Sequence, residues 1–175
     1  MHQLTASPIV LFYLGEQPDA KGRLLQMIWA WDDEALECAH DYIQWLFPLA
    51  EPSAYNPAAP LVTDDVVRAF QQSPQLRQNL LKSFDVMLHF YGLRRQMAGN
   101  EIVVVRAVHY ADRAREWVQP LDHNHLRITR VLKCLTTLGL AAEAQTFYQC
   151  LEQIYRENRD AISPETFRYW TNAVA

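Results

Sequence analysis

Apolar residues recur at helical spacing along most of the chain. The clearest case begins at Ser73 and Pro74, because serine can cap a helix and proline suits its first position. Apolar side chains then follow every three or four residues, at Leu76, Leu80, Phe84, Met87 and Tyr91. Gly92 offers a left-handed stop. This pattern predicts one amphipathic helix of roughly 18 residues.

Similar start and stop signals predict further helices. The Ser-Pro pair recurs at Ser7 and Ser163, and each pair is expected to open a helix. Thr63 is expected to cap a short helix over DDVVRAFQQ. A helix from about Asp33 to Leu46 should end before Pro48, because the residue preceding a proline avoids helical angles.

The remaining pattern is mainly helical, with one open point. The segment NEIVVVRAV is either a strand, because it is rich in β-branched residues, or the start of a helix through Trp117. Helices are predicted from about His125 to Leu138 and from about Ala141 to Asn158. The proline-rich EPSAYNPAAP is the principal loop. We therefore expect an all-α fold, a single-domain bundle of about seven helices spanning residues 1–175.

Composition places the chain among soluble globular proteins. Of its 175 residues, 50% are hydrophobic and 21% are charged. Its three cysteines have no paired spacing, which favours a reducing, cytoplasmic location. The N-terminus lacks a basic region before its short apolar run, so we expect no signal peptide. No stretch is long and apolar enough to predict a transmembrane segment.

Charge is distributed unevenly along the chain. Residues 1–65 contain ten acidic and two basic side chains, whereas residues 94–133 contain eight basic and four acidic ones. The basic segment could serve an anionic partner, or the two segments could face each other or solvent. The net charge of −4 disfavours nucleic acid as a partner, because phosphate contacts need local positive charge.

The residues of HDYIQWLFPL could either pack in the core or line a binding site. On a continuous helix over residues 33–46, Trp45 falls with the acids, opposite the apolar stripe. Gln44 lies at the margin of that stripe and His40 lies near it. Trp45 could pack under the proline-rich loop, it could reflect a helix that loosens before Pro48, or it could line a site.

The stretch NHLRITRVLKCLTTLGL predicts a helix with a basic face. Arg127, Arg130 and Lys133 lie opposite its apolar stripe. That face is either solvated or a cationic surface for a carboxylate, a phosphate or an acidic partner. Asp122 or Asn124 is expected to cap this helix, and a free helix N-terminus adds affinity for anions.

Metal and catalytic motifs are sparse. Glu37 and His40 form a Glu-x-x-His pair, but a di-iron site needs a second copy, and His123 and His125 do not provide one. There is no nucleophile elbow, phosphate-binding glycine loop or paired-cysteine zinc spacing. We therefore predict no metal, no cofactor and no catalytic residue.

Several stretches together resemble the conserved region of the opioid growth factor receptor family. They are HDYIQWLFPL, SPQLRQNLLKSFDVMLHFYGL, NHLRITRVLKCLTTLGL and FYLG followed by Trp29 and Trp31. The resemblance runs from about Phe12 to Leu140. It implies kinship with receptors for an enkephalin-type opioid pentapeptide, associated with the nucleus and nuclear envelope and acting on cell growth. No counterpart of the long C-terminal extension of the animal members is seen, so we expect a minimal member.

These observations lead to one preferred hypothesis and two others. The preferred one is a non-enzymatic binding domain for a peptide or a small anionic molecule. Its predicted ligand-binding residues are His40, Gln44, Trp45, Asn124, His125, Arg127 and Arg130, gathered in one site. The alternatives are a protein–protein interaction module, which could be a homodimer, and a small enzyme.

Overall fold

The computed structural model describes residues 7–175 and departs from the all-α prediction. Ten helices lie in this part of the chain: α1 (Pro8–Tyr13), α2 (Leu25–Trp29), α3 (Asp33–Cys38), α4 (Ile43–Leu46), α5 (Asp64–Gln72), α6 (Pro74–Phe90), α7 (Tyr110–Trp117), α8 (Asn124–Thr137), α9 (Ala141–Glu157) and α10 (Pro164–Ala173). Two strands, β1 (Leu93–Ala98) and β2 (Glu101–Arg106), form an antiparallel hairpin. The fold is therefore mainly helical with a small sheet, and the prediction of a pure bundle of about seven helices was wrong.

The chain divides into two compact units. Unit 1 is Met1–Ser83, described from residue 7 onwards, and unit 2 is Phe84–Ala175. Unit 1 contains α1 to α5 and the first part of α6, whereas unit 2 contains the rest of α6, the hairpin and α7 to α10.

The predicted helix starts are confirmed. α1, α6 and α10 each begin at the proline of a Ser-Pro pair. Ser7 and Ser163 accept hydrogen bonds from the backbone N–H groups of Ile9 and Thr166, and Thr63 caps α5 in the same way. These side chains satisfy amides that a helix leaves unbonded in its first turn.

The predicted helix over residues 33–46 is wrong, because the chain breaks it into α3 and α4. Ala39 takes an extended conformation, with ψ of 133°. Asp41, in the intervening segment, forms ion pairs with Arg23 at 2.9 Å and Lys21 at 2.7 Å. The Tyr42 hydroxyl donates to the carbonyl of Leu36 at 2.9 Å. These tertiary contacts explain why the local helical period does not continue.

Connected hydrogen bonds run into the core of unit 1 from Trp29, which is half-buried. Trp29 Nε1 donates to Ser83 Oγ at 2.9 Å, and Ser83 Oγ lies 3.2 Å from the Tyr13 hydroxyl. Tyr13 in turn donates to the carbonyl of Leu46. Since the Tyr13 proton is used on that carbonyl, Ser83 must donate to Tyr13. We call these four groups the Tyr13 relay; they join α1, α2, α4 and α6.

The segment NEIVVVRAV, predicted as either a strand or the start of a helix, contributes strand β2 of the hairpin in unit 2. Its register runs from Leu93 opposite Arg106 to Ala98 opposite Glu101. The two-residue loop has Gly99 at φ 64°, and no positive φ at Asn100. Glycine at the first central position is typical of a type II′ turn, which matches the right-handed twist of two strands.

Gly92 ends α6 as predicted and lies very close to the start of α7. Its φ is 76°. A Cβ atom at this position would lie 2.6 Å from the Tyr110 Cα atom. Only glycine combines that backbone angle with such a close approach.

Candidate functional site

The predicted site residues of unit 1 lie mostly in its core. His40 is exposed, but Gln44 is only 4% exposed and Trp45 only 8%. The Trp45 ring packs edge-on against Phe12, with ring centroids 5.4 Å apart. The off-stripe position of Trp45 therefore has a packing explanation, because the continuous helix on which the wheel was drawn does not form.

Gln44 keeps one unusual feature. Its Nε2 donates to Ser53 Oγ at 3.4 Å, which ties α4 to the proline-rich loop. Its Oε1 is buried and has no hydrogen-bond partner within residues 7–175. A buried amide oxygen without a donor is uncommon and costs stability.

A charged cluster anchors the segment between α3 and α4. The Asp19 carboxylate accepts hydrogen bonds from the backbone N–H groups of Lys21 and Arg23 at 2.9 and 3.0 Å, and pairs with the Arg23 guanidinium at 2.6 Å. Arg23 also lies over the Trp31 ring, 5.4 Å from its centroid. Burial raises the pKa of Asp41, but hydrogen bonds from Lys21 and Arg23 outweigh it, so this pKa is lowered. The cluster is internally neutralised and has a structural role.

The predicted site residues of unit 2 begin helix α8. Asn124, His125 and Arg127 are buried and Arg130 is half-buried. Arg127 Nη1 donates to Asn124 Oδ1 at 3.4 Å. The N-cap position of this helix is His123. Asp122, one residue earlier, accepts a hydrogen bond from the Asn124 backbone N–H at 2.8 Å and so satisfies one amide of the first turn.

His125 lies between two indole rings. Its ring centroid is 6.5 Å from that of Trp117 and 5.8 Å from that of Trp170, both edge-on. His125 Nε2 donates to the Trp117 carbonyl at 3.0 Å, and Trp170 Nε1 donates to the His125 carbonyl at 3.1 Å. Burial lowers the pKa of His125, so the neutral imidazole is the form that the core accommodates.

The seven predicted residues thus belong to both units. His40, Gln44 and Trp45 lie in unit 1, whereas Asn124, His125, Arg127 and Arg130 lie in unit 2. That they share one ligand site stays a prediction.

Much of the basic segment is paired with acids. Arg95 forms a two-pronged pair with Asp85, with both distances at 2.7 Å. Arg106 pairs with Glu157. Both of these acids lie outside residues 94–133, so part of the segment's excess positive charge is balanced from elsewhere in unit 2.

The hairpin is the surface that the sequence pattern did not identify as a site. Met97 and Ile102 face each other across the strands and are 62% and 43% exposed. Within the described residues, no backbone group outside the hairpin bonds to either outer edge. Arg94, on β1, is exposed and makes no ion pair with any described residue. The β-branched run and the Gly-Asn turn were the signals that could have revealed it.

Residues 7–175 contain neither a larger metal-binding cluster nor a membrane-spanning helix. Among residues 7–175, no group of three or more histidine, cysteine, aspartate or glutamate side chains could hold a metal ion. None of the helices described is long and apolar enough to cross a lipid bilayer.

The fold and the open hairpin define a mainly helical domain, and comparison with known proteins identifies its family. The model of the opioid growth factor receptor (OGFr) conserved region matches residues 10–175. The chain belongs to the opioid growth factor receptor family. The resemblance inferred from the sequence motifs is therefore confirmed, and the match extends beyond Leu140 through the C-terminal helices.

Named relatives support this assignment. The chain is 40% identical to the opioid growth factor receptor of Rattus norvegicus over 135 residues, which are 74% of this chain and 22% of the rat protein. It is 41% identical to the Homo sapiens protein over 112 residues, 64% of this chain and 16% of that one. Opioid growth factor receptor-like protein 1 of Rattus norvegicus is 38% identical over 112 residues, 63% of this chain and 23% of that protein. The chain thus spans about a fifth of the length of these relatives. No solved structure matches the chain.

Proposed function

We propose that this chain is a non-enzymatic, cytoplasmic binding domain that recognises an extended peptide segment of a partner protein. The hairpin of unit 2 is the proposed recognition surface. The partner segment would add to the outer edge of β1 as a third strand, with its backbone bonding to amide and carbonyl groups that now lack a backbone partner.

The observation that carries this proposal is the open strand edge with its exposed side chains. An edge strand presents unpaired backbone groups that favour pairing with another chain. The Met97–Ile102 pair adds apolar surface at the hairpin tip. A partner strand added to this edge would pair with the unbonded backbone groups and could cover those two side chains at the same time.

The positive charge of Arg94 indicates which side chains the partner segment should carry. Arg94 is exposed and unpaired among the described residues, and it lies on the same strand as Met97. An arginine guanidinium prefers a carboxylate. The favoured partner segment is therefore extended and carries both an acidic and an apolar side chain. The curated relatives are named receptors, which agrees with a recognition role.

Selection from a displayed library of random peptides tests the proposal. Selected peptides should carry an acid and an apolar residue. Titrated into the isotope-labelled chain, they should shift the amide signals of residues 93–106 and slow hydrogen exchange along the outer edge of β1. Met97→Asp should weaken binding strongly. Met27→Asp should not, because Met27 is a similarly exposed methionine, at 51%, in unit 1.

The alternatives give different results in the same experiment. Peptide-induced shifts around Arg130 and Trp45 would favour the predicted seven-residue site over the hairpin. Concentration-dependent dimerisation that Met97→Asp abolishes would assign the edge to a second copy of the chain. If no peptide is selected and the chain stays monomeric, the proposed binding function is wrong.

A further inference from the structure

Two histidines of unit 2 lie ring against ring at the junction between α6 and α7. His89 is in the last turn of α6 and is exposed, whereas His109 directly precedes α7 and is half-buried. Their ring centroids are 4.4 Å apart, with the planes tilted by 41°. They are 20 positions apart in the chain, so no spacing motif connects them.

The hydrogen bond of His109 fixes which of its nitrogens is free to bind a metal. His109 Nε2 lies 2.9 Å from the His89 carbonyl oxygen. A carbonyl only accepts, so Nε2 carries a proton, and in the neutral ring the lone pair is then on Nδ1. A metal-binding histidine usually donates its other N–H to a carbonyl or a carboxylate in this way.

His89 supplies the second donor. Its ring nitrogens have no hydrogen-bond partner among the described residues. Both rings are at least partly open to solvent, so small side-chain rotations are available to them. We propose that His89 and His109 form a binding site for one divalent transition-metal ion of the zinc class, held by one nitrogen of each imidazole and completed by solvent.

The ring separation is close to what such an ion requires. With Zn–N bonds of about 2.0 Å and ring nitrogens about 1.1 Å from the ring centre, two imidazoles on one tetrahedral ion have centroids about 5 Å apart. The rings at 4.4 Å need to separate by less than about 1 Å to accept it.

The surroundings select against hard cations. Neither histidine ring bonds to a carboxylate among the described residues, where no group of three histidine, cysteine, aspartate or glutamate side chains could hold a metal ion. Calcium and magnesium need oxygen ligands and negative charge. Imidazole donors instead suit zinc, nickel and copper.

Titration with Zn²⁺ alone, followed by imidazole ¹⁵N resonances, tests the site directly. Before addition, His109 should show the tautomer protonated at Nε2. The His89 and His109 ring signals should then shift together and saturate at one ion per chain. A tenfold excess of Ca²⁺ should leave these shifts unchanged.

Variants decide whether both rings bind. His89→Ala should weaken Zn²⁺ binding about tenfold or more by calorimetry, since losing a ligand costs at least as much as losing a supporting partner. The His89 ring makes no hydrogen bond, so this variant should fold normally. His123→Ala removes an exposed histidine elsewhere in unit 2 and should leave the affinity unchanged. Ring signals that do not move, or wild-type affinity in His89→Ala, would overturn the proposal and leave His109 as a cap for the end of α6.

Discussion

Removing one oxygen atom from the Tyr13 relay should destabilise the protein measurably. Tyr13→Phe deletes the hydroxyl that donates to the Leu46 carbonyl and accepts from Ser83. Tyr13 and Ser83 are both 0% exposed, so water cannot replace those bonds without entering the core. A buried polar group left without a partner costs about 1–3 kcal/mol. With two such groups affected, we expect a loss of about 2–3 kcal/mol in the free energy of unfolding.

Urea unfolding followed by far-ultraviolet circular dichroism provides the assay. Tyr169→Phe is the matched control, because among residues 7–175 the Tyr169 hydroxyl bonds only to Glu165, on an exposed surface. Its effect should stay within about 0.5 kcal/mol. A Tyr13→Phe effect as small as the control's would show that the relay does not stabilise the core.

A double-mutant cycle tests whether the relay acts as a unit. Ser83→Ala alone leaves the Trp29 N–H and the Tyr13 oxygen without Ser83. The free energy of unfolding of the double variant with Tyr13→Phe should fall by about 1 kcal/mol less than the sum of the two single effects. The reason is that both substitutions remove the same Tyr13–Ser83 hydrogen bond. Strictly additive losses would refute the coupling.

Three other outcomes follow from the structure. Gly92→Ala should lower the free energy of unfolding by more than about 2 kcal/mol, because a positive φ and a steric clash combine there. Gly22→Ala is the control, because Gly22 has a positive φ but open space around it, and it should cost about 1 kcal/mol in the same urea assay. Burial lowers the pKa of His125 from 6.5, so the unfolded chain binds the proton more readily than the folded one. The free energy of unfolding should therefore fall as the pH drops below about 6.5. His125→Gln should make that free energy less dependent on pH in urea unfolding at several pH values. Iodoacetamide should label the exposed Cys38 well before Cys150, because burial raises the pKa of Cys150 to about 11; equal labelling by mass spectrometry would contradict this.

The sequence predicted elements whose signals are local. Ser-Pro pairs and Gly92 mark where helices begin and end because capping depends on residues within one turn. The helix over 33–46 was wrong because Asp41 is held by Lys21 and Arg23, about 20 residues away. A periodic pattern contains no information about such partners.

The candidate site was less accessible to sequence reasoning. Trp45 looked exposed only on a helical wheel that the chain does not follow, and its true neighbour is Phe12. The hairpin edge depends on which strands pair, and the His89–His109 contact joins residues 20 positions apart. Tertiary proximity of this kind leaves no periodic trace in the chain.

The position of His125 gives the protein an internal optical sensor. A protonated imidazole in contact with an indole quenches its fluorescence, and His125 has an indole on each side. Tryptophan emission should therefore dim when His125 gains a proton, and detachment of helix α10 should relieve that quenching because it carries Trp170 away from the ring. Opening of this part of unit 2 could be followed in real time without attaching any dye.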